Sequence, residues 1–296
     1  MLDAALSRKQ TLFYLMFLIL MWGINWPLSK YALEFTPPLL FAGLRTLIGG
    51  LLLVVVALPR LNKLRLRETW PYYLISAFLS IVFYYGFQTV GLQYMPAGLF
   101  SAIVFLQPVL LGLFAWMWLG EKMYPRKILG LLLGFSGVAV MSIGGLEGGI
   151  SMLGILLALA SALSWALGTV YIKRQAPKVD SLWMTAMQIL IGGCVMTGYG
   201  SAVENWSEVQ WNLTFLLDTL FISIFVIALG WLVYFKLISS GEASKVGSFT
   251  FLIPVVSIVC SVLFLNERLT LNLLAGMALI VASILLVNAR TRQTSS

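Results

Sequence analysis

Phe105-Leu106-Gln107-Pro108-Val109 is followed, twelve residues after Val109, by Glu121-Lys122. Phe251-Leu252-Ile253-Pro254-Val255 is followed at the same interval by Glu267-Arg268. The two stretches stand 146 residues apart in a chain of 296. An echo at a fixed offset near half the length marks an internal duplication. Each copy lies in apolar sequence, so the duplicated unit belongs in a membrane.

Other echoes run in the same order. Arg45-Thr46-Leu47-Ile48-Gly49-Gly50 matches Gln188-Ile189-Leu190-Ile191-Gly192-Gly193 at an offset of 143. Trp22 and Lys30 match Trp165 and Lys173 at the same offset, and Gly130 matches Gly276 at 146. Chance likeness among leucine-rich helices explains one such echo, but not an ordered series.

The chain is 60% hydrophobic and 10% charged, with a mean hydropathy of +0.95. A soluble domain of this size would expose too much apolar surface. The apolar runs are continuous rather than alternating, which argues for helices and against a β-barrel. Segments near 11–32, 37–58, 70–92, 96–119, 125–144, 150–173, 181–203, 213–238, 243–265 and 270–288 each suit a bilayer core. The expected fold is all-α and polytopic, with ten transmembrane helices. Residues 1–146 and 147–296 each hold five helices. Five is odd, so the second half enters from the opposite face, and the repeats are inverted. Most of the 19 Lys and Arg residues fall on one side if both termini are cytoplasmic. The apolar run after Arg8-Lys9 continues through Trp26 without a cleavage signature and reads as a retained span.

Composition also excludes chemistry. The chain has no histidine, so HExxH zinc sites and Ser-His-Asp triads are ruled out. Cys194 and Cys260 lie in apolar runs and read as packing residues. Neither a metal nor a cofactor is expected. The net charge of +8 is scattered over loops and is not a nucleic-acid patch. The expected partners are the lipid bilayer and a small-molecule substrate. Gly130 and Gly134 are spaced for close helix contact, within a monomer or across a homodimer, and the first is preferred.

Pro108 and Pro254 fall near mid-span and are expected to kink their helices as hinges. Glu121 and Glu267 follow at helix ends on opposite membrane faces, where gating elements and plain interfacial charges both fit. Glu121 is expected to pair with a cation such as Lys122, or to cap the next helix. Arg45 is the one basic residue well inside a span; it serves a substrate, or it snorkels or bonds to backbone carbonyls. Asn25 precedes an expected break at Pro27. With Trp22, Tyr84, Gln88, Gln107 and Trp165 it makes a candidate binding set of aromatic faces and a few polar groups. Tyr85, Gln188, Trp231, Tyr234, Ser248 and Thr250 are weaker candidates, because Trp and Tyr also form interfacial belts.

These residues resemble the ten-helix, EamA-type members of the drug/metabolite transporter superfamily. The resemblance rests on Trp22-Gly23 with Lys30, on Arg45, and on the Pro108…Glu121 and Pro254…Glu267 elements, and it covers nearly the whole chain. It implies a bacterial inner-membrane carrier, often an exporter, for amino acids or related metabolites. It also implies a cavity lined by spans one, three, four, six, eight and nine. The small four-helix relatives rely on a membrane-embedded Glu. Here no Asp or Glu falls in the middle of a span, and Asp218 stands near an end. That argues against proton coupling through a buried carboxylate and favours a neutral, zwitterionic or anionic substrate. A channel should show a filter motif and a sensor an appended soluble domain. A membrane-embedded enzyme needs convergent acid, base or metal groups, and none is found.

Overall fold

The computed structural model describes residues 6–145, 151–264 and 271–288. Among these residues the chain is helical, with no strand. Ten helical stretches follow one another. Four are unbroken at the start and middle of the chain: α1 (Arg8–Ala32), α2 (Pro38–Ala57), α6 (Met152–Gln175) and α7 (Ser181–Val203). α3 (Leu66–Gly91) and α8 (Leu213–Ser240) each contain a π-helical turn, at Phe78–Phe83 and Ile222–Leu229. α4 (Ala97–Leu119) and α9 (Ala243–Phe264) are each broken in two. α5 (Pro125–Gly145) and α10 (Leu271–Asn288) complete the set. Eight of these, all but α5 and α10, are long and apolar enough to cross a membrane. Large apolar side chains such as Leu51, Val55, Trp116 and Leu285 stay exposed on the periphery, as a lipid-facing surface requires.

Contacts between helices recur when the halves are exchanged. α2 packs on α7, and α5 on α10; α1 meets α9 as α6 meets α4. A Cβ on Gly50 would lie 2.6 Å from the Leu190 Cα, and one on Gly193 2.6 Å from the Leu47 Cα. Those four residues are two matched pairs. Only glycine lets the α2 and α7 backbones approach this closely. Gly130 and Gly137 of α5 face Ser283 and Gly276 of α10, so the glycine spacing serves packing within the chain.

The prolines act differently from the expected mid-helix kink. The break in α4 comes before the proline, at Phe105-Leu106, and Pro108 opens the second piece, Gln107–Leu119. Its missing N–H is not needed at a helix start, and its fixed φ suits that place. α9 repeats the arrangement: Ala243–Phe249 ends, and Leu252–Phe264 begins two residues before Pro254. The expected break at Pro27 is absent. α1 runs continuously from Arg8 to Ala32 with Pro27 inside. Trp22 and Trp26, both just before it, are buried and clamped by rings from other helices, which holds the helix together across the lost bond.

Candidate functional site

The core of the molecule is a cluster of aromatic rings. Trp22 of α1 lies 5.3 Å from Trp165 of α6, 5.4 Å from Trp231 and 5.1 Å from Tyr234 of α8, centroid to centroid. Tyr84 and Phe105 add contacts to Trp165 at 5.3 and 5.6 Å. Such pairs contribute about 0.5–1.5 kcal/mol each beyond burial. The polar edges are bonded too. Trp231 Nε1 donates to the Tyr85 hydroxyl at 2.8 Å, and that hydroxyl belongs to its match 146 residues earlier. Tyr234 shares a hydrogen bond with Thr169 at 3.1 Å and accepts one from Gln107 at 3.5 Å. Trp22 Nε1 donates to the Val226 carbonyl at 3.1 Å, inside the π-turn of α8. Ser164 donates to the Leu79 carbonyl at 2.6 Å, inside the π-turn of α3. Both π-turns therefore present a carbonyl to the helix that opens the other half.

A cavity of about 10 Å³ lies in this cluster, lined by Trp22, Asn25, Trp26, Tyr84, Tyr85 and Phe105. That is room for roughly one water molecule. At this size, a metabolite enters only if the rings part.

Next to this cavity lies a buried polar chain. Asn25 accepts from Ser29 at 3.1 Å, and Arg45 Nη1 donates to Ser29 at 2.7 Å. Arg45 Nη2 donates to Thr89 at 2.9 Å, and the guanidinium lies 4.7 Å from the Phe41 ring and 4.8 Å from the Tyr85 ring. Arg45 is 0% exposed. It neither snorkels nor bonds to backbone carbonyls; two hydroxyls and two ring faces hold it.

Gln88 and Gln188 are buried with neither amide atom hydrogen-bonded, and neither lines the cavity. Ser248 and Thr250 bond to carbonyls of their own helix. Trp231 and Tyr234, weak candidates by sequence, stand at the centre. Their offset of 146 from Tyr85 and Gln88 was the available signal. Cys194 is exposed on α7 rather than packed inside.

Glu121 occupies a third position. Gly120 ends α4 with a φ of 68°, a left-handed turn that favours glycine. The turn sends Glu121 across to the start of α9. There its carboxylate accepts from the amides of Ala243 at 2.7 Å and Ser244 at 3.3 Å, and from the Ser244 hydroxyl. Lys173 of α6 approaches it at 3.2 Å and Lys127 of α5 at 3.5 Å. Lys173 also donates to the Gly241 carbonyl at 2.8 Å. Burial alone would raise the carboxyl. The Ser244 hydroxyl, the Lys173 charge and the Ala243 amide outweigh it and hold it below the ordinary 4.5. The expected pairing with Lys122 is thus replaced by Lys173 and Lys127, and the capped helix is α9 rather than the next one. One carboxylate ties four helices at one end of the molecule. Lys30, the match of Lys173, donates to the carbonyls of Leu92 and Met95 at the corresponding turn of the other half. Glu267 lies outside the described residues.

The model of the EamA-like transporter family matches the chain twice, at residues 9–143 and 152–289. The chain belongs to the EamA-like transporter family. It is therefore a transporter and a multi-pass membrane protein. It is similar to the uncharacterized transporter YvbV of Bacillus subtilis (strain 168), 62% identical over 97% of this chain and 94% of that one. It is also similar to a probable amino-acid metabolite efflux pump of Escherichia coli (strain K12), 29% identical over 94% of each chain. A relative of the same description in Salmonella typhimurium (strain LT2) is 30% identical over the same shares. A solved crystal structure superposes with a TM-score of 0.78 at 22% identity, covering 95% of this chain and 97% of that one. The fold is thus that of a known structure. As in the cavity implied for EamA carriers, the cluster draws on α1, α3, α4, α6 and α8. α9 packs on α1 just behind it, with Val256 against Gly23.

Proposed function

We propose that the chain is a secondary carrier that moves an amino acid or related small metabolite across the cell membrane by alternating access, in the outward direction. In this reading α5 and α10 also span the bilayer, giving ten spans with both termini cytoplasmic. Residues 1–146 and 147–296 are inverted halves. The observation that carries it is the small aromatic cavity where matched residues meet: Trp22 with Trp165, and Tyr85 with Trp231. A site on the axis relating two halves is reached from either side by the same movement.

Trp22, Asn25, Tyr84 and Trp165 form the binding surface, with Gln107 and Gln88 as further polar contacts and Arg45 as partner for an anionic group. The breaks before Pro108 and Pro254 are the hinges, and Glu121 latches the cytoplasmic end. Support for the substrate class comes from the relatives described as probable amino-acid metabolite efflux pumps. Counterflow of a panel of radiolabelled amino acids in proteoliposomes tests the proposal. Saturable uptake driven by an internal pool of the same compound supports a carrier. Unsaturable ion current without counterflow refutes it.

A further inference from the structure

Asp218 stands near the end of its span, as the sequence indicates, and the structure adds that it is buried there. It lies five residues into α8 and is 8% exposed, and neither of its oxygens has a hydrogen-bond partner. An unbonded, buried carboxylate is costly unless a charge or a proton answers it. Arg45 is the charge carried by α2, which packs against α8. Their places follow from the ring and glycine contacts between α2 and α8. Phe41 meets Phe215 with centroids 6.3 Å apart, and Gly49 faces the Ser223 carbonyl, 3.0 Å from where its Cβ would stand. Arg45 lies one turn after Phe41, and Asp218 lies about one turn after Phe215, so both fall between those contacts. They form no ion pair within 4.0 Å, and Arg45 Nε is itself unbonded. Unused donor capacity on α2 and unused acceptor capacity on α8 thus fall at the same level between these contacts, with Arg45 behind Tyr85 of the cavity wall.

The surrounding elements supply no other answer to Asp218. Arg45 is the sole charged side chain of α2. α1 brings Asn25 and Ser29, and its Lys30 is engaged at the Leu92 and Met95 carbonyls. Tyr85 faces Arg45 from α3. Glu204, at the end of α7, is held by the amides of Leu39 and Leu40.

We propose that Asp218 and Arg45 form a proton-linked anion site. In the empty carrier the charge of Arg45 balances ionised Asp218. When the carboxylate of a substrate takes Arg45, Asp218 loses that balance and takes up a proton from water. The substrate carboxylate and the proton therefore bind together, whichever side the cavity faces. This deepens the carrier reading and rests on it. It assigns the substrate a carboxylate group and gives Asp218 a part that the amino-acid reading alone does not require.

Two measurements on the full chain in nanodiscs test the pair. The first needs no ligand. Infrared difference spectra between acid and neutral pH should show a protonated-carboxyl band that Asp218→Asn removes. Arg45→Gln should extend that band to higher pH, because the opposing charge is gone. An Asp218 band that titrates identically in Arg45→Gln overturns the proposal. The second measures proton uptake with an indicator dye as L-leucine, L-phenylalanine or L-aspartate is added, with L-phenylalaninamide as the carboxylate-free control. About one proton should be taken up per amino acid bound, and none with the amide. Asp218→Asn should bind the amino acid at acid pH without proton uptake. Asp218→Glu, which keeps the titrating group, should restore the uptake and so excludes a packing defect. Proton uptake that persists in Asp218→Asn overturns the proposal. If no amino acid binds but the infrared band moves as expected, the amino-acid reading fails while the couple stands.

Discussion

Replacing Glu121 with glutamine keeps the shape of the side chain and removes the charge that gathers α4, α5, α6 and α9. The native carboxylate accepts from two amides, one hydroxyl and two ammonium groups, and its side chain is 8% exposed. Hydrogen bonds to charged groups contribute about 1.5–3 kcal/mol each. Glutamine retains one acceptor oxygen for the Ala243 amide, and Lys173 is 22% exposed, so water replaces part of what is removed. A loss of about 3 kcal/mol in the closed state of this end follows, roughly a hundredfold shift toward opening. The readout is hydrogen–deuterium exchange of the Ala243 and Ser244 amides, whose acceptor is Glu121. Their exchange should accelerate about a hundredfold, while amides in the middle of α7 stay unchanged. Transport should lose its balance between the two faces rather than its fold. The pH dependence has a definite sign. The carboxyl is held below 4.5 when folded, so the latch is fully formed above that value and is lost as pH falls through the lower, folded value. Opening of this end is therefore insensitive to pH near neutrality. Wild-type exchange rates at Ala243 and Ser244 in Glu121→Gln would refute the latch.

Four further outcomes follow from the packing. Gly50→Ala and Gly193→Ala each drive a methyl into the backbone of the facing helix, and each should cost about 1–3 kcal/mol, read as a lowered melting temperature in detergent. Tyr85→Phe leaves the Trp231 indole N–H unbonded and should destabilise by about 1–3 kcal/mol, with a larger loss of transport than Tyr14→Phe at the periphery. Pro108→Ala and Pro254→Ala should insert normally yet transport several-fold more slowly, and wild-type rates in both would remove the hinges from the mechanism. Trp22→Phe breaks the bond to the Val226 carbonyl and should loosen the π-turn of α8, seen as faster amide exchange across Ile222–Leu229.

Much of the fold was legible because bilayer spans and a duplication both write themselves along the chain. The echo of Pro108 and Pro254 located the two broken helices, but not the position of the breaks. A proline lacks the N–H that would bond the carbonyl four residues earlier, and the chain relieves the strain by restarting the helix just before it. Pro27 misled for the opposite reason: tertiary clamping by Trp22 and Trp26 outweighs one lost hydrogen bond. Trp22, Tyr84, Gln107 and Trp165 were readable as candidate site residues because they lie too deep for an interfacial belt. Trp231 and Tyr234 were discounted, although their offset from Tyr85 and Gln88 put them on the same axis. The burial of Asp218 was not legible, since depth along a helix does not tell which face meets Arg45.

The matched and unmatched residues do different work. Matched ones sit where the halves touch: Gly50 with Gly193, Trp22 with Trp165, and Tyr85 with Trp231. A frame built from equivalent pairs has two end states of similar energy, because every interaction that opens on one face has a counterpart that closes on the other. Such a frame moves easily but distinguishes nothing. Discrimination needs residues with no equivalent, and here these are Arg45 opposite Gln188 and Gln107 opposite Ile253. Arg45 stands to one side of the ring cluster, and Gln107 bonds Tyr234 within it. In the proposed carrier, a substrate lying across the cavity therefore meets an ionic end and an aromatic body. That polarity is what a symmetric frame must acquire to bind one end of a molecule differently from the other.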